Sequence, residues 1–169
     1  MEFSKVIDAR YSCRSYLDKE IEDEKIQKIL ETGRLAPTAK NTQCQKIYVL
    51  KDKAVIQQIE SMKGMFNAPV ALIVCGDRER ECKRFFTKQS LMETDLSIIT
   101  TYMMLEATNQ GLGSCWVCYF NEAQTKELLG MPENIDPYNI LLLGYPDENG
   151  TPSTRHFDRR DLSDTVIFK

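Results

Sequence analysis

The sequence predicts an α+β sandwich in which a mixed central sheet packs beneath flanking helices, and three observations predict it. Helical and strand-like stretches alternate along the chain. The runs "APVALIVCGD" and "YNILLLGYP" are apolar and of strand length, which suits strands buried on both faces. The stretch Leu91–Gln110 is apolar over a broad surface, as a largely buried central helix requires. At 169 residues, with no repeat and no low-complexity linker, the chain is expected to form a single domain over 1–169.

The elements follow in order. "SKVIDAR" reads as a short amphipathic helix and "ARYSCRSY" as an extended segment after it. "DEKIQKILETGRLA" places Ile26, Ile29, Leu30 and Gly33 on one helical face and stops at Pro37. "KIYVLKD" is a strand and "KAVIQQIESMKGM" a helix; the strand "APVALIVCGD" begins after Pro69 and ends in a Gly-Asp turn. In the central helix, Leu91, Asp95, Ile98, Ile99, Tyr102, Met103, Glu106 and Ala107 spread around the surface. Gly111 ends that helix with positive φ, and Gly113 allows a second sharp backbone path before the strand "SCWVCYF". Asn121 is an N-cap with Gln124 at the capping-box position, opening a helix that passes Leu128 and Leu129 and stops at Gly130. "YNILLLGYP" is the last strand.

Composition excludes several classes. A 42% hydrophobic and 28% charged chain is globular, and a net charge of −3 with no basic block or zinc-finger pattern offers no general attraction to nucleic acid or to anionic membrane. Glu2 and the absence of a long apolar run argue against a secretory signal and a membrane span, so a cytoplasmic protein is expected. Of six cysteines only Cys115 and Cys118 are close in sequence, and strand alternation puts them on opposite faces, which suits neither a dithiol nor a metal site. No GxGxxG, GxxxxGK[ST] or GxSxG turn is present. His156, the one histidine, lies in a charged C-terminal segment and gives no support for a catalytic triad.

One short stretch points elsewhere. In "ARYSCRSY" an extended backbone can turn Arg10, Ser12 and Arg14 the same way, presenting two guanidinium groups around a hydroxyl. Taken alone, that row is either a hand for phosphate or ordinary surface.

The ordered set "ARYSCRSY", "LAPTAKNTQ", the central helix, "NQGLGSCWVCYF", "LLLGYPDE" and a late "RR" resembles the short nitroreductase-like flavoproteins over nearly the whole chain. That resemblance implies an α+β sandwich forming an intertwined homodimer. It also implies FMN bound at the interface, and electrons passed from NAD(P)H to nitroaromatic, quinone or related small acceptors by a ping-pong mechanism. By position it assigns the FMN phosphate and ribityl chain to Arg10, Ser12 and Arg14, with Tyr11 acting through its backbone. The loop beside the isoalloxazine ring falls to Pro37, Thr38, Ala39, Asn41 and Gln43, and the reactive edge to Cys118 and Tyr119 through backbone groups. Arg159 and Arg160 resemble a late basic contribution to the phosphate site.

No triad is needed in such a protein, because the flavin carries the redox chemistry while the chain sets stacking, charge and access. Family members often have glycine near the flavin edge where this chain has Cys118 and Tyr119; strand packing and a direct substrate role stay open for both. Lys63 is either a flavin-pyrimidine contact or a solvated loop residue. Met103, Trp116 and Phe168 are expected between the chains of the dimer. The competing function is a flavin-binding or storage protein, or an electron-transfer flavoprotein reduced by a protein donor.

Overall fold

The computed structural model describes residues 1–169. Two short helices, α1 (Phe3–Ala9) and α2 (Asp23–Arg34), precede β1 (Gln45–Leu50) and α3 (Lys53–Gln58). They are followed by β2 (Val70–Asp77), α4 (Met92–Asn109), β3 (Gly113–Val117), α5 (Glu122–Leu128), β4 (Ile135–Gly144) and α6 (Leu162–Thr165). The strands form one sheet in the order β1-β2-β4-β3, and every neighbouring pair is antiparallel. The α+β sandwich is as the sequence predicts; the sheet's parallel component is confined to a single bridge, Ser12 to Ser114, at its β3 edge.

Alternation explains why β2 reads as unbroken apolar sequence. Val70, Leu72 and Val74 pack with Leu141 and Leu143 beneath α2 and α4, against Ile29, Leu96, Ile99 and Met103. Ala71, Ile73 and Cys75 face the other way with Ile140 and Leu142, against Ile56, Ile59, Met65 and Met131. Each buried leucine or isoleucine side chain contributes about 1.5–3 kcal/mol of apolar transfer, so these two layers supply the main drive to fold. Met103 is fully buried inside the chain, not between chains as the sequence reading has it. Its place is set by the contact between α2 and α4.

Two elements depart from their sequence pattern. The helix expected through Met65 stops at Gln58: Asp52 caps it by accepting the Ala54 N–H at 2.8 Å, but Ile59 is extended and the chain turns to pair with the far side of β3. Ser61 and Phe120 form an antiparallel bridge, with the Met62 N–H on the Tyr119 carbonyl at 3.1 Å and the Asn121 N–H on the Glu60 carbonyl at 2.7 Å. Asn121 caps α5 by accepting the Gln124 N–H at 3.0 Å, yet the return half of a capping box is absent. The Gln124 side chain clasps the end of α3 instead, donating to the Gln58 carbonyl at 2.9 Å and accepting from the Glu60 N–H at 3.3 Å.

Gly111 has φ +77° and ends α4 as expected. Gly113 has no positive φ; its lack of a side chain serves close packing, as described below.

Candidate functional site

A groove of about 320 Å³ opens where β3 ends, between the turn after α3 and the strand's last residues. Arg14, Lys63, Phe66, Trp116, Cys118 and Tyr119 are among the residues that line it. The α3 segment that sequence reasoning assigned to a helix thus supplies one wall. No local pattern could have shown this, because the segment is drawn out of helix by its pairing with Tyr119–Asn121.

The groove has the chemistry of an anion-tolerant aromatic site. Arg14 and Lys63 have no carboxylate partner in the chain. The backbone N–H groups of Cys118 and Tyr119 donate to no acceptor in the chain, and the Tyr119 side chain is 74% exposed. Ser61 Oγ and Trp116 Nε1 are buried without partners, which leaves two further polar atoms of the groove's lining residues unsatisfied. Trp116 therefore belongs to the groove, and Lys63 projects from its rim.

The arginine segment is fastened to the edge of β3. The Cys13 N–H donates to the Ser114 carbonyl at 2.8 Å, and the Tyr16 hydroxyl donates to the Cys13 carbonyl at 2.8 Å. A methyl at Gly113 would sit 2.8 Å from both Cβ and Sγ of Cys13 and 2.9 Å from Pro146 Cγ, so glycine is what lets the segment lie this close. Arg14 reaches the groove; Arg10, at the C-cap of α1, and Ser12, on the sheet edge, do not line it. The neighbouring Tyr11 hydroxyl donates to the Gly150 carbonyl at 2.5 Å, closing the segment against the turn that follows β4.

Cys115 is buried within β3, and Cys118, just past the strand's last residue, is exposed. Burial raises the Cys13 and Cys115 thiols and pushes Cys75 up to about 12, so these three stay protonated at neutral pH.

The ring-loop candidates lie elsewhere. Pro37 is exposed, and the Thr38 hydroxyl accepts the Gln43 N–H at 3.0 Å. The Ala39 N–H donates to Asp95 Oδ1 at 2.9 Å. Lys40, Asn41 and Gln43 take φ values of 52°, 54° and 48°, a left-handed run costly for side chains other than asparagine. Asp95, 2% exposed in the first turn of α4, is what fastens this strained loop. It is a functional candidate that sequence reasoning used only as a helix position.

Sheet register shows how far apart the two groups are. Ser12 lies outside β3 at Ser114, which faces Leu143, whereas Gln45, just after the loop, faces Gly76, which faces Asp136. Ser12 therefore lies at the opposite edge and opposite end of the sheet from the loop, whereas the groove, just past Val117 opposite Ile140, lies at the opposite edge but toward the loop's own end. Strand spacings of about 4.8 Å put the groove's β3 edge roughly 15 Å from β1 across the sheet. Arg159 and Arg160 are also away from the groove: Arg159 donates to the Asp158 carbonyl at 2.7 Å, and Arg160 lies 3.9 Å from Asp164, all within the tail. That tail ends in exposed apolar residues, Ile167 and Phe168, the latter 93% exposed. No helix of the protein is long and apolar enough to cross a membrane.

Comparison with known proteins gives this geometry a context. The model of the nitroreductase family matches residues 7–63 and 60–145. A nitroreductase family protein of Clostridium difficile 630 is 39% identical, with a TM-score of 0.91 over 100% of this chain and 99% of that one. An Archaeoglobus fulgidus protein provisionally named NADH dehydrogenase/NAD(P)H nitroreductase is 34% identical over 87% of each chain. A provisionally named nitroreductase of Desulfovibrio desulfuricans, solved in complex with FMN, is 25% identical, with a TM-score of 0.79 over 100% of this chain and 97% of that one. With the family model spanning most of the chain and the fold shared from end to end, this protein belongs to the nitroreductase family.

Proposed function

We propose that the protein is an FMN-dependent oxidoreductase that takes electrons from NAD(P)H and passes them to small organic acceptors, nitroaromatics and quinones among them, in a ping-pong cycle as a homodimer. The observation that carries the reading is the groove itself, with two unpaired cations, an aromatic wall and two free backbone N–H groups around a space of about 320 Å³. Those residues fit FMN: Arg14 would hold an anionic group, Trp116 and Phe66 offer apolar surface to a flat ring, and Ser61 and Trp116 carry unsatisfied polar atoms. FMN, when bound, supplies the hydride-accepting N5 and so the redox chemistry.

The chain's own part is electrostatic and positional. The N–H groups of Cys118 and Tyr119, fixed by the Ser61–Phe120 bridge, stabilise negative charge developing at the groove's inner edge. Lys63 adds a mobile positive charge at the rim. Cys118 and Tyr119 narrow the entrance where a smaller residue would leave it wide, which restricts acceptors to thin planar molecules. The Cys13, Cys75 and Cys115 thiols, raised by burial, take no part.

A second copy completes the site in this reading. Arg14 with the Cys118–Tyr119 edge lies beside β3 and Thr38–Gln43 precedes β1, on opposite edges of the four-stranded sheet, which favours a flavin that meets the two groups from different chains. The exposed apolar tail is a natural arm for the same association.

An anaerobic absorbance spectrum of FMN-loaded protein, before and after NADH or NADPH, tests the proposal. Retained flavin that bleaches with either donor is the expected result. Retained flavin bleached by neither would overturn the NAD(P)H reading and leave a flavin carrier or protein-fed electron-transfer role.

A further inference from the structure

We propose that the hairpin over residues 82–90, with Lys40, is a docking subsite for the phosphorylated adenosine end of the donor, and that it selects NADPH over NADH. The inference rests on the oxidoreductase reading above. It begins with charge: residues 78–90 hold five Lys or Arg against two Glu, in a chain whose net charge is −3. Two of the five are occupied, Arg78 with Asp136 at 2.6 Å and Lys83 with Glu81 at 2.8 Å. Arg84, Lys88 and Lys40 have no carboxylate partner.

These cations surround a built hollow. It has a volume of about 400 Å³ and is lined by Lys40, Lys83, Arg84 and Lys88 around Phe85 and Leu91. The hairpin is closed by the Leu91 N–H on the Cys82 carbonyl and the Arg84 N–H on the Gln89 carbonyl, both at 2.8 Å, so the charges are held on a defined frame. At its tip Phe85 and Phe86 are 79% and 91% exposed, with rings edge to face at 5.1 Å. An exposed aromatic pair beside unpaired cations offers a stacking surface for a purine and counter-charges for its phosphates.

Position supplies the link to the donor. Ala39 lines the same hollow, and the Arg80 side chain donates to the Thr42 carbonyl at 3.2 Å, so the hairpin is packed on the loop assigned to the flavin ring. A donor with its nicotinamide at that ring has its adenosine end free to reach the hollow. A 2′-phosphate in place of a hydroxyl adds about two negative charges, which the guanidinium of Arg84 and the ammonium groups of Lys40 and Lys88 would meet directly.

The test uses FMN-loaded protein and two probes, adenosine 2′,5′-bisphosphate and 5′-AMP, titrated by calorimetry, alongside steady-state kinetics with both donors. The bisphosphate should bind at least tenfold more tightly than AMP. The Arg84→Gln/Lys88→Gln variant should lose that difference and raise KM for NADPH about tenfold more than it raises KM for NADH. Arg84→Glu, a surface change with unchanged melting temperature expected, should lower NADPH use further. Equal binding of the two probes, or a tenfold preference that survives both variants, would overturn the proposal. Calorimetry needs no turnover, so a flavin bleached by neither donor would count against the oxidoreductase reading alone, and equal probe binding against the subsite alone.

Discussion

Substituting Gly113 by alanine tests how the arginine segment is held. The added methyl would meet Cys13 Cβ and Sγ at 2.8 Å and Pro146 Cγ at 2.9 Å. Carbon contacts relax near 3.5–4.0 Å, so the Cys13 segment must move by about 0.7–1.2 Å. Cys13 is fully buried and Pro146 is a rigid ring, which leaves no flexible end to absorb the change. Overpacking of this kind costs about 1–3 kcal/mol, and stretching the bond from the Cys13 N–H to the Ser114 carbonyl adds about 1 kcal/mol. A loss of about 3 kcal/mol lowers the melting temperature of a chain this size by about 6–12 °C. Because Ser12 and Arg14 flank Cys13, FMN affinity should fall about tenfold or more, as expected for one weakened charge-assisted contact. Thermal melts of apoprotein at fixed concentration and flavin fluorescence titrations read the two effects. Gly111→Ala is the control: open space surrounds it, but its φ of +77° makes alanine strained, so stability should fall while FMN affinity holds. Wild-type stability and affinity in Gly113→Ala would refute the reasoning.

Three further outcomes follow from the same geometry. Asp95→Ala strips the acceptor from the Ala39 N–H and should cost about 1–3 kcal/mol in denaturant unfolding and weaken FMN binding; Asp95→Asn, which keeps an acceptor oxygen, should lose less. Hydrogen bonding from the Tyr145 hydroxyl, with Lys25 nearby, holds the Glu22 carboxyl down to about 2. A depressed carboxyl stabilises the fold above its unfolded value near 4.5 and loses that contribution as pH falls toward 2, so the stability gap between wild type and Tyr145→Phe should be full at pH 7 and narrow across that window in acid-unfolding curves. Cys118 is the exposed thiol among six, so a chromogenic disulfide reagent should titrate one fast thiol in native apoprotein and six after denaturation, with bound FMN slowing the first. Several fast thiols in native protein would contradict the assigned burial.

The fold was legible where one face of a pattern decides the outcome. Ile26 and Ile29 on α2, the two-sided apolar runs of β2 and β4, and the positive φ of Gly111 all follow from local periodicity or backbone chemistry. Long-range pairing was not legible. Nothing near Ser61 announces that Phe120 will draw it out of helix, and nothing near Gly113 announces that Cys13 will press against it. The sheet's antiparallel order lies equally beyond local pattern, since strand direction depends on where each connection crosses.

The site was legible in parts. Arg14, Cys118 and Tyr119 line one groove, whereas Thr38–Gln43 lie across the sheet and Arg159 and Arg160 are held in the tail. The groove's other wall, from Ser61 to Phe66, depends on tertiary pairing and carries no motif. Asp95 is a buried carboxyl within an apolar helix, a conflict with its surroundings that the sequence displays but does not explain. Its explanation is a backbone N–H more than fifty residues away.

A mixed dimer tests the central claim most directly. Arg14→Ala in one chain and Thr38→Ala/Asn41→Ala in the other should each abolish FMN retention as homodimers. If a flavin is held between the β3 edge of one copy and the Thr38–Gln43 loop of the other, the heterodimer has one site carrying both lesions and one carrying neither. The account predicts one FMN per heterodimer, bound with wild-type affinity. A heterodimer that retains no FMN would contradict it, because sites built within single chains would each keep one lesion.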